Sequence, residues 1–185
     1  MSRRVLIIPE NPTNDQHILK PVVEALFDDL GQNAKITVLQ EPHIHGIEQA
    51  LDPAILTDVF DIYATTDLFL LIVDRDGELN RVKRFDRLRE LATSRTKTLI
   101  GCLAIEELEV WALALYKDEL SARWPEVRSE VHVKERHFQP LAESKGWQTA
   151  VGGGRKHAMR QLKGNWRSLK SLCSELQELQ AAIEG

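Results

Sequence analysis

Cysteine is nearly absent. Cys102 and Cys173 are the only two, they lie far apart in apolar surroundings, and neither belongs to a cluster with metal-ligand spacing. That excludes a disulfide scaffold and a zinc ribbon, and both thiols are expected to be reduced core groups of a cytoplasmic protein. Long apolar runs are also missing. The N-terminal run in M-S-R-R-V-L-I-I-P ends at Pro9 and Glu10, too short for a signal peptide or a membrane span, so no membrane partner is expected. Neither repeats nor low-complexity tracts occur. The glycines at 152–154 lack the Lys-Ser ending of a phosphate-binding loop, which removes the usual nucleotide signature. Excess positive charge is lacking as well. The formal net charge is −4, so any contact with nucleic acid has to come from a local basic patch.

What is present starts with Asp67–Glu78, D-L-F-L-L-I-V-D-R-D-G-E. Six apolar residues, Leu68–Val73, predict a strand buried on both faces, as in a parallel sheet. Asp74 and Asp76 follow at its carboxyl end, where open α/β sheets bind ligands. In an extended segment the two would point to the same side and repel each other unless a cation sits between them. Mg²⁺ or Mn²⁺ is the expected ion, because all the donors are oxygen.

Further strands are predicted over Arg3–Pro9, Lys35–Gln40 (shorter, nearer an edge) and Thr98–Ala104. Helices are predicted from a Thr13/Gln16 capping box to about Leu30, with Pro21 as an inconsistency, and over Ile47–Tyr63, Leu79–Leu91 and Ile105–Leu120. Strand–helix alternation to residue 120 predicts an α/β fold with a mostly parallel, Rossmann-like sheet flanked by helices. After Ser121 the pattern weakens to Trp147. Helices over Arg155–Lys163 and Asn165–Ile183 then carry a stripe of Trp166, Leu169, Leu172, Leu176, Leu179 and Ile183. The expected division is an α/β core over 1–121 and a helical C-terminal extension over 122–185, packed on the core.

Acids follow three strands: Glu10 the first, Asp74 and Asp76 the third, Glu107 and Glu109 the fourth. Parallel strands end on one edge, so these carboxylates are expected to converge into a site for in-line displacement at phosphorus. His43 and His45 put two imidazoles on one side of a loop, without the third His or Cys that a zinc site needs. Between Gly152 and Ser174 no acid occurs. Lys156, Arg160, Lys163, Arg167 and Lys170 recur there at helical spacing. With Arg155 they form a candidate contact to a phosphate backbone, with Trp166 available to stack on a base. Arg155 and Lys156, after the glycines, are also within sequence reach of the acidic site.

A glutamate in I-I-P-E10, a D-x-D in L-I-V-D74-R-D76-G and the segment A-I-E-E-L-E-V-W-A-L-A, with Glu107, Glu109 and Trp111, together resemble the Toprim pattern over roughly residues 3–115. The resemblance is to small prokaryotic Toprim-like proteins related to the OLD (overcoming lysogenisation defect) nucleases. It implies a Toprim-like fold and an Mg²⁺- or Mn²⁺-dependent nuclease acting on DNA or RNA. Glu10, Asp74, Asp76, Glu107 and Glu109 would then be metal ligands, and Glu10, Asp74, Asp76 and a late lysine, Lys156, catalytic. It also implies an ATPase on a separate chain, in a phage-defence setting. The turn E10-N-P-T-N-D15 lacks the family's glycine and is one residue longer, with Asp15 in the place of the second acid. Two other readings stand beside this one. One is a Toprim-like subunit without turnover. The other is a haloacid-dehalogenase-type phosphatase with Asp74 as nucleophile and Asp76 as general acid.

Overall fold

Leu68–Val73 has no polar side chain, so a strand built from it must be covered on both faces, and both faces are filled. The computed structural model describes residues 2–185. Its four strands are β1 (Arg3–Ile8), β2 (Ala34–Val38), β3 (Leu68–Asp74) and β4 (Leu99–Ala104). All pair in parallel, in the order β2-β1-β3-β4. The α/β fold is therefore as expected, with β2 at an edge. On one face, Val5, Ile7, Leu68, Leu70, Ile72, Cys102 and Ala104 pack on α1 (Pro12–Asp29) and on everything after Leu108. On the other, Leu6, Ile8, Phe69, Leu71, Val73 and Leu99 meet α2 (Ile47–Ala50), α3 (Pro53–Ile62) and α4 (Arg81–Ser94). No helix of the described residues is long and apolar enough to cross a membrane.

Several helix boundaries differ from the sequence expectation, each for a local reason. α1 starts at Pro12, not Thr13. The Asn11 side chain accepts the Asn14 N–H (3.3 Å), and the Asp15 carboxylate accepts the Asn11 N–H (2.9 Å). The helix passes through Pro21 unbroken. A proline there costs about 3 kcal/mol, but Ile18, Leu19, Val22, Val23 and Leu26 are fully buried, at about 1.5–3 kcal/mol each. Within the helical segment expected over Ile47–Tyr63 a helix starts at Pro53, as the proline suggests: Asp52 caps Ala54 (2.8 Å) and Pro53 opens α3.

Past β4, α5 covers only Glu109–Ala114, so Ile105–Leu108 is loop and not the first helical turn. Those residues are bonded outwards. The Glu106 carbonyl accepts the N–H groups of Arg75 (2.9 Å) and Asp76 (3.0 Å), and the Ile105 N–H goes to Glu175 (3.3 Å). The remainder forms α6 (Trp124–Ser129), a wide turn at Lys134–Phe138, α7 (Gln139–Ser144), α8 (Arg155–Ala158) running into a 3₁₀ turn to Leu162, α9 (Trp166–Leu172) and α10 (Ser174–Glu184). The predicted helices at Arg155–Lys163 and Asn165–Ile183 are thus each subdivided. The second breaks at Cys173, which is extended (φ −127°, ψ 94°) and fully buried. From Val127 to Ile183 the extension shares one apolar cluster with the sheet.

Gly101 of β4 lies directly under Phe85 of α4. A β-carbon there would stand 2.4 Å from the ring. Gly101→Ala is expected to destabilise the fold by about 1–3 kcal/mol, the usual cost of overpacking, and Gly101→Ala with Phe85→Leu to recover most of it. Urea unfolding of the three proteins checks this. Equal midpoints for wild type and Gly101→Ala would refute the close fit.

Candidate metal centre

The strand order reverses direction between β1 and β3, and the loops leaving such a pair of strands open a crevice. Glu10 leaves β1 and Asp74 ends β3, side by side. The Asp74 N–H donates to Glu10 Oε1 (2.9 Å). Asp74 Oδ1 accepts the Leu108 N–H (2.8 Å), which draws the loop after β4 inward with Glu107 and Glu109. Carboxylate oxygens of Asp74, Glu107 and Glu109 all lie within 4.8 Å of one another. These three form a group that could hold a metal ion. The donor set fits a hard divalent cation, since every ligand atom is oxygen and a cation's ligand oxygens need close approach.

Asp76 does not join the group. β3 ends at Asp74, and Asp76 takes a left-handed conformation (φ 47°), so the alternation that would have put both acids on one side no longer holds. Its carboxylate accepts from Arg81 (2.8 Å), whose guanidinium also bonds the Asp74 carbonyl and stands 3.8 Å from Glu10. Glu106, between two expected ligands, is turned the other way. Its carboxylate is buried and bonded by Arg75 (Nε at 3.0 Å) and by the Gly77 N–H, which pins the turn that carries Asp76.

Cations flank the acids. Glu109 is ion-paired with Arg155, whose Nε donates at 3.0 Å and whose Nη1 holds the Gly152 carbonyl (2.9 Å). Gly152–Gly154 all have positive φ, so this glycine run is the defined turn that delivers Arg155, not a slack hinge. The main-chain N–H of Lys134 donates to Glu107 (2.6 Å), while its ammonium pairs with Glu135 (3.2 Å). Lys156 is exposed and stands near enough to His17 to lower that imidazole's pKa, after burial and with help from Arg155.

The other bases spread out because the helix expected to align them is broken at Lys163–Asn165. Arg160, Lys163 and Arg167 line an open cleft of about 780 Å³ with Trp166, facing Glu24, Asp28 and Asp29 of α1. Lys170 is engaged by Asp29 (2.7 Å) and Gln180 (3.0 Å). His43 and His45 are exposed, ring centroids 4.3 Å apart, on the loop after β2. Among the described residues no acid joins them in a ligand group.

Electrostatics single out the same place. Burial pushes Glu10 up to about 7, against the Asp74 N–H and Arg81, with Asp76 and Asp15 adding repulsion. Burial also pushes Asp15 up to about 6, against the Asn11 N–H, with Glu109 adding repulsion. Asp74 is raised well above the usual carboxylate range by burial first and then by Glu109, Glu10, Asp15 and Asp76; Glu107 is raised by burial. Burial opposes ionisation of Glu106 too, but Arg75 and the Gly77 N–H outweigh it and hold its pKa down.

A carboxyl group with a raised folded-state pKa keeps a proton that the unfolded chain gives up. Stability of the metal-free chain should therefore fall as pH rises from about 4.5 through about 7. The loss should be of order 3 kcal/mol for each of Glu10 and Asp15, while depressed groups such as Glu106 titrate below that window. Thermal melts in chelator across this range check it, and a melting temperature that rises or stays level would contradict it.

Sequence reasoning did not single out Arg81, Lys134, Glu106 or Glu175. Arg81 had a signal, since a base shortly after D-x-D-G can fold back on the turn. Lys134 lay in a stretch without clear periodicity, and the packing of Glu175 depends on a contact across 70 residues with Ile105. Compared with protein-family models, with curated proteins and with solved structures, the chain finds no match.

Proposed function

We propose that this chain is a divalent-cation-dependent phosphodiesterase of Toprim-like type, hydrolysing DNA or RNA with Mg²⁺ or Mn²⁺. One observation carries the reading: three carboxylates, from the end of β3 and the segment after β4, meet within 4.8 Å beside the switch point of a parallel sheet. Asp74, Glu107 and Glu109 would hold the cation, with Glu10 and Asp15 beside them. Bound there, a cation supplies charge neutralisation and water activation. Glu10, with a pKa of about 7, is able to accept or return a proton at neutral pH. Arg155 and Arg81, both largely buried, stand where charge on phosphoryl oxygens would need countering. In this reading Arg155 takes the role first considered for Lys156. The exposed bases from Lys156 to Arg167 would contact the backbone of a longer substrate.

A second reading, a binding subunit without turnover, draws on the ion pairs Arg81–Asp76 and Arg155–Glu109, which already neutralise two of the acids. Incubating the purified chain with supercoiled plasmid and with end-labelled RNA, in Mg²⁺, Mn²⁺ or EDTA, separates the two. Cleavage that EDTA abolishes supports the first. A divalent cation that raises the melting temperature without any cleavage supports the second. Absence of both effects would remove the metal centre altogether.

A further inference from the structure

We propose that the open edge of β4 is a docking site for an extended segment of another protein, which adds to the sheet as a fifth strand between α4 and α10. The inference does not depend on the metal reading. β4 is the last strand in the order β2-β1-β3-β4. The Phe69 N–H reaches the Thr98 carbonyl and the Arg75 N–H reaches the Ala104 carbonyl, so the even-numbered residues of this strand bond β3. In a parallel ladder the N–H and C=O of the alternate residues, Gly101 and Leu103, then point outwards. An unpaired row of this kind is satisfied by another strand and not by a helix.

The edge lies in a groove of about 470 Å³ walled by α4 and α10. Two of the five large apolar side chains exposed among the described residues line it, Leu79 at 73% and Val82 at 50% exposure. Apolar side chains left open beside an unpaired edge mark an interaction surface.

Charge decides between a partner and a second copy. α4 carries five bases and two acids, net +3; α10 presents two exposed glutamates, Glu178 and Glu184, and no base, its third, Glu175, being buried against Arg128. Two copies joined through antiparallel β4 edges would be related by a two-fold axis normal to the sheet. That places α4 beside α4 and α10 beside α10, like charge against like. A foreign strand escapes this. Its alternate side chains face opposite walls, so acidic and apolar residues can meet Arg89 and Val82 while basic and apolar residues meet Glu178 and Leu179. The partner is thus an extended segment with apolar residues flanked by acids in one register and bases in the other. One end of the groove is formed by Arg75 and Ile105, the residues that anchor the loop leading to Glu107.

The test pans a library of short random peptides against the intact purified chain and measures the enriched peptides by fluorescence anisotropy on wild type, Val82→Asp, Leu79→Asp and Leu103→Pro. Val82 and Leu79 are exposed, so these variants keep the fold; proline at 103 removes the outward N–H together with the half-buried Leu103 side chain, so Leu103→Ala is measured beside it to separate the two losses. The expected result is enrichment of the two-register charge pattern, slowed amide exchange at Gly101 and Leu103 on binding, and affinity lower by about tenfold or more in Val82→Asp, in Leu79→Asp and, relative to Leu103→Ala, in Leu103→Pro. No enrichment, or peptides that bind all five proteins equally, would overturn the proposal. So would sedimentation of the chain as a dimer that Val82→Asp dissociates, since the edge would then be an interface between copies.

Discussion

Asp74→Asn is expected to raise the melting temperature of the metal-free chain at neutral pH and to abolish its response to divalent cations. Asparagine keeps the shape of the side chain and can still accept the Leu108 N–H. What it removes is one charge from a buried set that includes Glu109, Glu10 and Asp15, all of which push the Asp74 pKa up. The native state no longer has to hold a proton there or bear the repulsion, so stability rises where wild type loses it. Cation binding needs that same charge. If the chain is the phosphodiesterase proposed above, its metal-dependent cleavage should fall about a thousandfold in this variant, because such stabilisation is worth several kcal/mol and about 1.4 kcal/mol is tenfold in rate. Melts in chelator, melts with Mn²⁺ and plasmid cleavage read the three effects separately. A variant less stable than wild type in chelator would show that the Asp74 carboxylate has a structural partner and not a functional vacancy to fill. Function taken at the expense of stability is a common signature of active sites.

Glu175→Ala is expected to be the most destabilising of the charged-residue substitutions, at about 3–5 kcal/mol, or roughly 10 °C in melting temperature for a chain of this size. Glu175 lies on α10 and is 5% exposed. It accepts two bonds from Arg128 (2.9 and 2.7 Å), one from Trp111 Nε1 (2.9 Å) and one from the Ile105 N–H (3.3 Å). Truncation leaves the Trp111 indole N–H without a partner and the Arg128 guanidinium with only the Ile105 carbonyl (3.1 Å), and the cost is that of these largely buried groups. Glu175→Leu combined with Arg128→Met should therefore cost less than Glu175→Ala alone. Guanidinium unfolding of the single and double variants tests this. If the double variant is the less stable of the two, the pair contributes more than its desolvation removes and the argument is wrong. The network also anchors Ile105 at the root of the loop bearing Glu107 and Glu109, so divalent affinity should weaken along with stability.

Much of the fold was legible in the sequence. The apolar run at Leu68–Val73 could be covered only from two sides, which demands a layered, parallel sheet. The spacing of Ile18, Leu19, Val22, Val23, Leu26 and Phe27 specified a helix strongly enough to override Pro21. Acids at the ends of strands that run the same way had to share one edge, so the meeting of Asp74, Glu107 and Glu109 followed from topology plus three positions in the chain. These are consequences of short-range periodicity and of burial, and both can be read one residue at a time.

The direction of each carboxylate was another matter. Asp74 and Asp76 look equivalent in the sequence, but one left-handed residue and the Arg81 guanidinium turn Asp76 out of the group. Glu106, Glu107 and Glu109 look like one acidic helix start. Hydrogen bonds from Arg75, from the Leu108 N–H to Asp74 and from Lys134 unwind that start and send Glu106 to one side and Glu107 to the other. The basic stripe after Gly152 depended on a helix that breaks at Lys163–Asn165 once Leu162 and Trp166 are buried. Sequence determined which chemistry is gathered at the sheet edge, because periodicity fixes faces and ends. Tertiary structure alone decided which acids stay together and which are neutralised, because that depends on hydrogen bonds and ion pairs between residues distant in the chain.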